Sequence, residues 1–166
     1  GPQPVLTQLC LAVASLALHM EAWASPVTDL VAAMTAPADE ALAKLPCLLA
    51  LLTVLPEEAE NMTVGVVPRR RDDFRAALAA AGPTVIQLLA QVHAQCQASA
   101  SHMGAALRCL ASWMRSSALS FELIQSSPLL GYAFSATCDP VTFDAAVDAL
   151  VELVHCTRFA EAHTPQ

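Results

Sequence analysis

Three dipeptides, Ser25-Pro26, Ser127-Pro128 and Asp139-Pro140, each set a good N-cap residue directly before a proline. Proline is tolerated in the first turn of a helix, where its missing N–H would find no partner anyway, and a Ser or Asp before it can accept an orphan amide. The segments opened in this way are runs of Ala, Leu and Val. Hydrophobic residues make up 55% of the chain but aromatics only 5%. Ala and Leu favour helix, and the strand formers Tyr, Trp and Phe are scarce. Five glycines in 166 residues leave little material for hairpin turns or a phosphate-cradling loop. The class expected is all-α.

The pattern predicts helices over 4–21, 26–35, 40–56, 69–97, 102–117, 128–137 and 140–159, with a further helical turn over Ser120–Ile124. Leu45-Pro46 reads as proline near a helix start, with Asp39-Glu40 as the approach turn. The run Leu51-Leu52-Thr53-Val54-Leu55-Pro56-Glu57-Glu58 reads as an apolar helix stopped by Pro-Glu-Glu, with Glu57 and Glu58 in a turn beyond it. Helix 69–97 contains Gly82-Pro83, which kinks it or divides it into 69–81 and 84–97. Short links make neighbouring helices antiparallel.

Leu9–Ser15 resembles Arg108–Trp113, and Ala149–Val154 supplies a similar apolar core. Helices centred near residues 11, 50, 110 and 149 have outer intervals of about 39 residues, close to a HEAT-type period of roughly 40–47. Stacked pairs need neighbours on both faces, which suits helices this apolar; a compact bundle would make the same demand.

Five stretches, in order along nearly the whole chain, give a more specific indication. They are Gln8–Ala12 with Leu16-Ala17-Leu18; Leu45-Pro46 leading into Leu48–Glu58; Pro68-Arg69-Arg70-Arg71 with Asp73-Phe74; Arg108–Trp113; and Cys138-Asp139-Pro140 with Leu150–Cys156. Together they resemble the transportin-SR (importin-13-like) branch of the importin-β nuclear transport receptors. The resemblance implies an α-solenoid of HEAT-type antiparallel helix pairs, about three and a half repeats, forming one segment over 1–166 of a longer receptor. It further implies a non-enzymatic carrier of arginine-serine-rich splicing-factor cargo, regulated by RanGTP, shuttling between cytoplasm and nucleus, with nucleoporins as further partners. A scaffold uninvolved in transport, or an exportin, remains the alternative. Gly82-Pro83 departs from the smoother helix of that family. Gly1-Pro2 reads as the remnant of a processed tag.

Partner-contact candidates are Arg69, Arg70 and Arg71, three of the eight basic residues, together with Glu57 and Glu58. Three cations at a helix N-terminus oppose its dipole, and Asp72 and Asp73 offset them. The cluster is therefore either a solvated turn neutralised locally or a contact for an acidic partner. The two glutamates either pair with it across the linker, meet a basic cargo, or form a polar helix end. Trp23 and Trp113, each closing an apolar run, are anchors between repeats or stacking surfaces.

Other chemistries lack their signatures. A net charge of −7 disfavours nucleic acid and anionic membrane. His19, His93, His102, His155 and His163 form no H-x-x-x-H or H-E-x-x-H spacing, and His155 and Cys156 point to different faces of a helix, so neither metal nor cofactor is expected. No G-x-S-x-G elbow is present for nucleophilic catalysis. Six cysteines without a C-x-x-C pair sit mostly in apolar runs, as in a reduced compartment. The apolar stretch Val5–Ala24 lacks a basic n-region and contains Gln8, His19 and Glu21, and Leu42–Leu55 is short and carries Lys44, so neither is expected to enter a membrane.

Overall fold

The structure, a computed structural model, describes residues 3–162, with side chains described for residues 4–157. Gly1-Pro2 and His163 lie outside the described residues. The described residues form eight helices: α1 (Gln3–His19), α2 (Pro26–Thr35), α3 (Ala38–Glu60), α4 (Pro68–Gln95), α5 (Ala100–Arg115), α6 (Phe121–Gln125), α7 (Leu129–Ala136) and α8 (Phe143–Ala162). No strand occurs among them, so the all-α expectation holds. The chain divides into two compact units, 1–81 and 82–166.

In the first unit both α1 and α2 pack against α3. Ala14, Ala17 and Leu18 from α1 and Leu48, Leu49, Leu52 and Leu55 from α3 are essentially inaccessible, as are Phe74 and Leu78 from α4. Burying one such leucine is worth about 1.5–3 kcal/mol, and the apolar runs are stabilised in this way rather than by propensity alone. Pro26 occupies the N-terminus of α2 as expected, although Ser25 makes no side-chain cap. Trp23 is half-buried, its Nε1 donating to Asp29 Oδ2 at 2.8 Å, which ties the α1–α2 link to the first turn of α2.

Two proline readings need correction. Pro46 does not open a helix and Pro56 does not stop one; both lie inside α3. Glu57 and Glu58 are therefore helical rather than in a turn beyond. The last turn survives the proline because α4 holds it from outside, through contacts described below. The single-helix reading of the fourth segment also stands, since α4 runs through Gly82-Pro83 and the division into 69–81 and 84–97 is not observed. By length and composition α4 could cross a membrane. It opens on three arginines, and its Phe74, Leu78, Val85 and Leu89 are buried in the protein, as suits a core helix.

In the second unit α5 packs against α8, α7 packs against α8, and the short α6 touches both α7 and α8. Met103, Leu107, Leu110 and Trp113 fill this core from α5. Trp113 is fully buried, consistent with an anchoring role. Gly82 is needed here, because a Cβ would lie 3.0 Å from the Ala118 backbone oxygen and 3.2 Å from Leu119 Cδ2. Asp139-Pro140 does not start α8. Asp139 Oδ1 accepts from Val141 N at 2.9 Å, forming a turn, and Thr142 supplies the carbonyl for the first helical bond, to Ala146. Likewise Pro128 is the N-cap of α7 rather than its first residue; Ser127 Oγ accepts from Leu129 N at 3.3 Å.

Candidate partner-binding surface

The arginine cluster occupies the first turn of α4, and its three members have different environments. Arg69 is exposed, Arg70 half-buried and Arg71 buried. Arg70 donates from Nε to Leu18 O at 2.7 Å and from Nη2 to Ala17 O at 2.7 Å and Met20 O at 3.2 Å. Ala17 and Leu18 belong to the C-terminal turn of α1 and Met20 follows it directly, where a cation is favoured by the helix dipole and by carbonyls beyond the reach of intrahelical donors. Its Cζ also lies 5.7 Å from the Phe74 ring centroid, a cation–π distance. Arg71 performs the same service for α3, donating from Nη1 to Ala59 O and from Nη2 to Val64 O at 2.9 Å. Two consecutive arginines thus cap the C-terminal ends of two different helices.

Arg75, one turn further along α4, completes the attachment. Its Nε and Nη2 each reach a Glu60 oxygen at 2.8 Å, and its Nη1 lies 3.4 Å from Asp72 Oδ1. The hydrogen bonds to Glu60 hold the guanidinium pKa above its ordinary value. Because both partners are partly exposed, the pair contributes about 0–1 kcal/mol. Sequence reasoning missed Arg75. The available signal was its i+4 spacing from Arg71, which puts both on one face of α4.

Glu57 is exposed, whereas Glu58 is buried at 6% exposure with Asn61 Nδ2 3.4 Å from its carboxylate. The five sequence candidates therefore lie in one region, with Arg69 and Glu57 on its surface and Arg70, Arg71 and Glu58 drawn into the packing. Beside Arg69 and Arg70, but not the other three, is a cavity of about 460 Å³, lined chiefly by Glu21, Val67, Arg69, Arg70 and Asp73. Two cations and two carboxylates face it, a mixed polar surface rather than a site of one sign.

The second unit has an apolar cavity of about 540 Å³, whose lining includes Met114, Leu119, Phe121, Glu152, His155 and Cys156. His155 and Cys156, expected on different faces of α8, both reach it, because their side chains diverge by only one helical step. Arg115 Nε donates to Glu152 Oε1 at 2.8 Å and His155 Nδ1 lies 3.4 Å from Glu152 Oε2. Burial, and secondarily the Glu152 charge, pushes the Cys156 thiol pKa up. A thiol held in its protonated form is a poor nucleophile. Among the described residues no group of three His, Cys, Asp or Glu side chains is arranged to hold a metal.

The chain matches the family described as Exportin 1-like protein over residues 2–150. It is 37% identical over 158 residues to Importin-13 of Gallus gallus and 36% identical over 158 residues to Importin-13 of Mus musculus, in each case covering 93% of this chain. It is 30% identical over 159 residues to Transportin MOS14 of Arabidopsis thaliana, covering 95% of this chain. In each comparison it spans 16% of the relative's own length. All-helical architecture and colinear similarity agree on the fold class, a HEAT-type α-solenoid. The chain belongs to the Exportin 1-like family, as an importin-β-type member of the transportin-SR and importin-13 branch.

Proposed function

We propose that the chain is a protein-binding segment of a nuclear import receptor and does no chemistry of its own. One observation supports this above others: the identity to Importin-13 runs over 93% of the chain. The cargo inferred is an arginine-serine-rich splicing factor, released when RanGTP binds, with nucleoporins met during passage between cytoplasm and nucleus. Release of this kind requires only that RanGTP and cargo prefer different states of one receptor, each ligand weakening the other by the same factor. Arg69 and Glu57 are the exposed contact candidates in this segment. Arg70 and Arg71 contribute by holding the surrounding helices in place, and the buried Glu58 faces the Asn61 cap of its own helix.

The test is a column experiment with the full-length protein and an arginine-serine-rich tail, with and without Ran locked in its GTP state. Capture that is lost on adding RanGTP supports an import receptor. Capture strengthened by RanGTP favours an exportin, a reading to which the Exportin 1-like family match lends weight. Capture indifferent to Ran would leave a helical scaffold and sink the transport reading.

A further inference from the structure

Tyr132 is the only tyrosine in the chain, half-buried on α7, with its ring centroid 4.8 Å from that of His93. Beside it is a cavity of about 230 Å³ whose polar lining is Gln97, Tyr132, Ser135, Asp139 and Thr142, with Met103 on its apolar side. Drug-sized ligands occupy roughly 300–1,000 Å³, so this cavity suits a single long side chain.

Its charge is one-sided. Ser135 Oγ donates to Tyr132 O at 3.0 Å, so its proton is used within the protein and its exposed oxygen is left as an acceptor, while the buried Thr142 hydroxyl is taken up by Ala136 O at 2.9 Å and by the Tyr132 phenol. Among the described residues Asp139 is the only charged one in the lining, with His93 outside it, packed against the Tyr132 ring. Asp139 Oδ1 accepts from Val141 N at 2.9 Å, and a carboxylate has acceptor capacity well beyond one such bond. A cavity with one negative charge, an exposed hydroxyl oxygen and an aromatic wall complements a ligand that is cationic, planar and rich in donors.

We propose that this cavity takes one arginine side chain of a protein partner, its guanidinium packed on the Tyr132 ring and hydrogen-bonded to Asp139. A planar guanidinium stacks on an aromatic ring and forks onto a carboxylate, whereas an ammonium does neither as well. The Tyr132 phenol pKa is raised by burial, against a lowering hydrogen bond with Thr142, and the smallest contribution is a rise from the Asp139 charge, consistent with the carboxylate lying near the ring. The proposal rests on the reading of the chain as a binder of basic proteins and assigns that binding one specific place.

The single tyrosine supplies the probe. Acetyl-Gly-Arg-Gly-amide is titrated into the 166-residue chain with tyrosine-selective isotope labelling, and the ring resonances are followed by NMR. A saturable shift is expected with arginine. The uncharged citrulline peptide and Asp139→Asn should each weaken it at least about tenfold, a 1.4 kcal/mol difference. Asp139→Asn keeps an Oδ1 for the Val141 amide, and circular dichroism checks the fold. Ser135→Lys, at an exposed position, should cause the same loss by placing a cation at the cavity. No saturable shift, an equal response to citrulline, equal affinity for the lysine peptide, or indifference to Asp139→Asn would each overturn the proposal. If full-length Asp139→Asn captures cargo as the wild type does while the peptide titration is negative, this site fails and the transport reading stands. If wild-type capture fails, the titration still decides the cavity.

Discussion

Arg71 contributes more to stability than its place in an arginine cluster suggests. Its guanidinium is buried at 5% exposure and bonded to two carbonyls, Ala59 O and Val64 O. Hydrogen bonds from charged groups contribute about 1.5–3 kcal/mol, so Arg71→Ala should lower unfolding free energy by about 2–4 kcal/mol in urea titrations. Arg70→Ala should cost less, about 1–2 kcal/mol, because solvent can reach part of the site. Equal effects, or a larger loss at exposed Arg69, would contradict the capping roles. Cys10 makes a pH-dependent prediction. Burial first, then Cys47, raises its pKa from 9.0 to about 11. A thiol protonated longer in the folded state contributes stability that is complete below pH 9 and lost as the pH rises from 9 toward 11. Cys10→Ala should flatten that part of the pH–stability curve, and below pH 9 iodoacetamide should alkylate exposed Cys138 well before Cys10.

Within the helices, Gly82 and Pro83 make α4 the most unusual element. Alanine would normally improve a helical glycine by about 1 kcal/mol. Here the added Cβ meets backbone oxygen at Ala118, so Gly82→Ala should be net destabilising by about 1 kcal/mol, read from thermal melts. A rise in melting temperature would mean that the Ala118–Leu119 turn yields easily. The helices were legible wherever local rules operate alone: the α2 range, Pro26–Thr35, coincides with the expected 26–35, and α6 lies within one residue of the expected turn. Reading failed where another helix overrides the local rule. Pro56 looks like a stop, but Arg71 and Arg75 hold the turn beyond it. The candidate cluster was found by its charge, yet the targets of Arg70 were hidden because they are backbone carbonyls, and every residue has one. The cavity at Tyr132 also escaped notice, since its walls come from separate stretches of sequence and carry no motif.

For the molecule as a whole, what remains uncovered matters as much as what is packed. Along α8, Phe143, Val147, Val151 and Val154 are 36–52% exposed at helical spacing, and Val5, Leu9 and Leu16 are similarly exposed along α1. Apolar stripes of this kind promote association. Val147→Glu with Val151→Glu should reduce self-association of the 166-residue chain in sedimentation velocity without altering its circular dichroism. An unchanged sedimentation profile would show that the α8 stripe is not the sticky surface. The paired caps on α1 and α3 also have a consequence for synthesis. A chain emerges from the ribosome amino end first, so both helices appear before the residues that close their carbonyl ends. Nascent chains stalled with residue 67 just outside the exit tunnel should be cut readily in α1 and α3 by a protease, and those exposing residue 75 should resist. The first unit would then mature in a single step, set by the arrival of two adjacent codons.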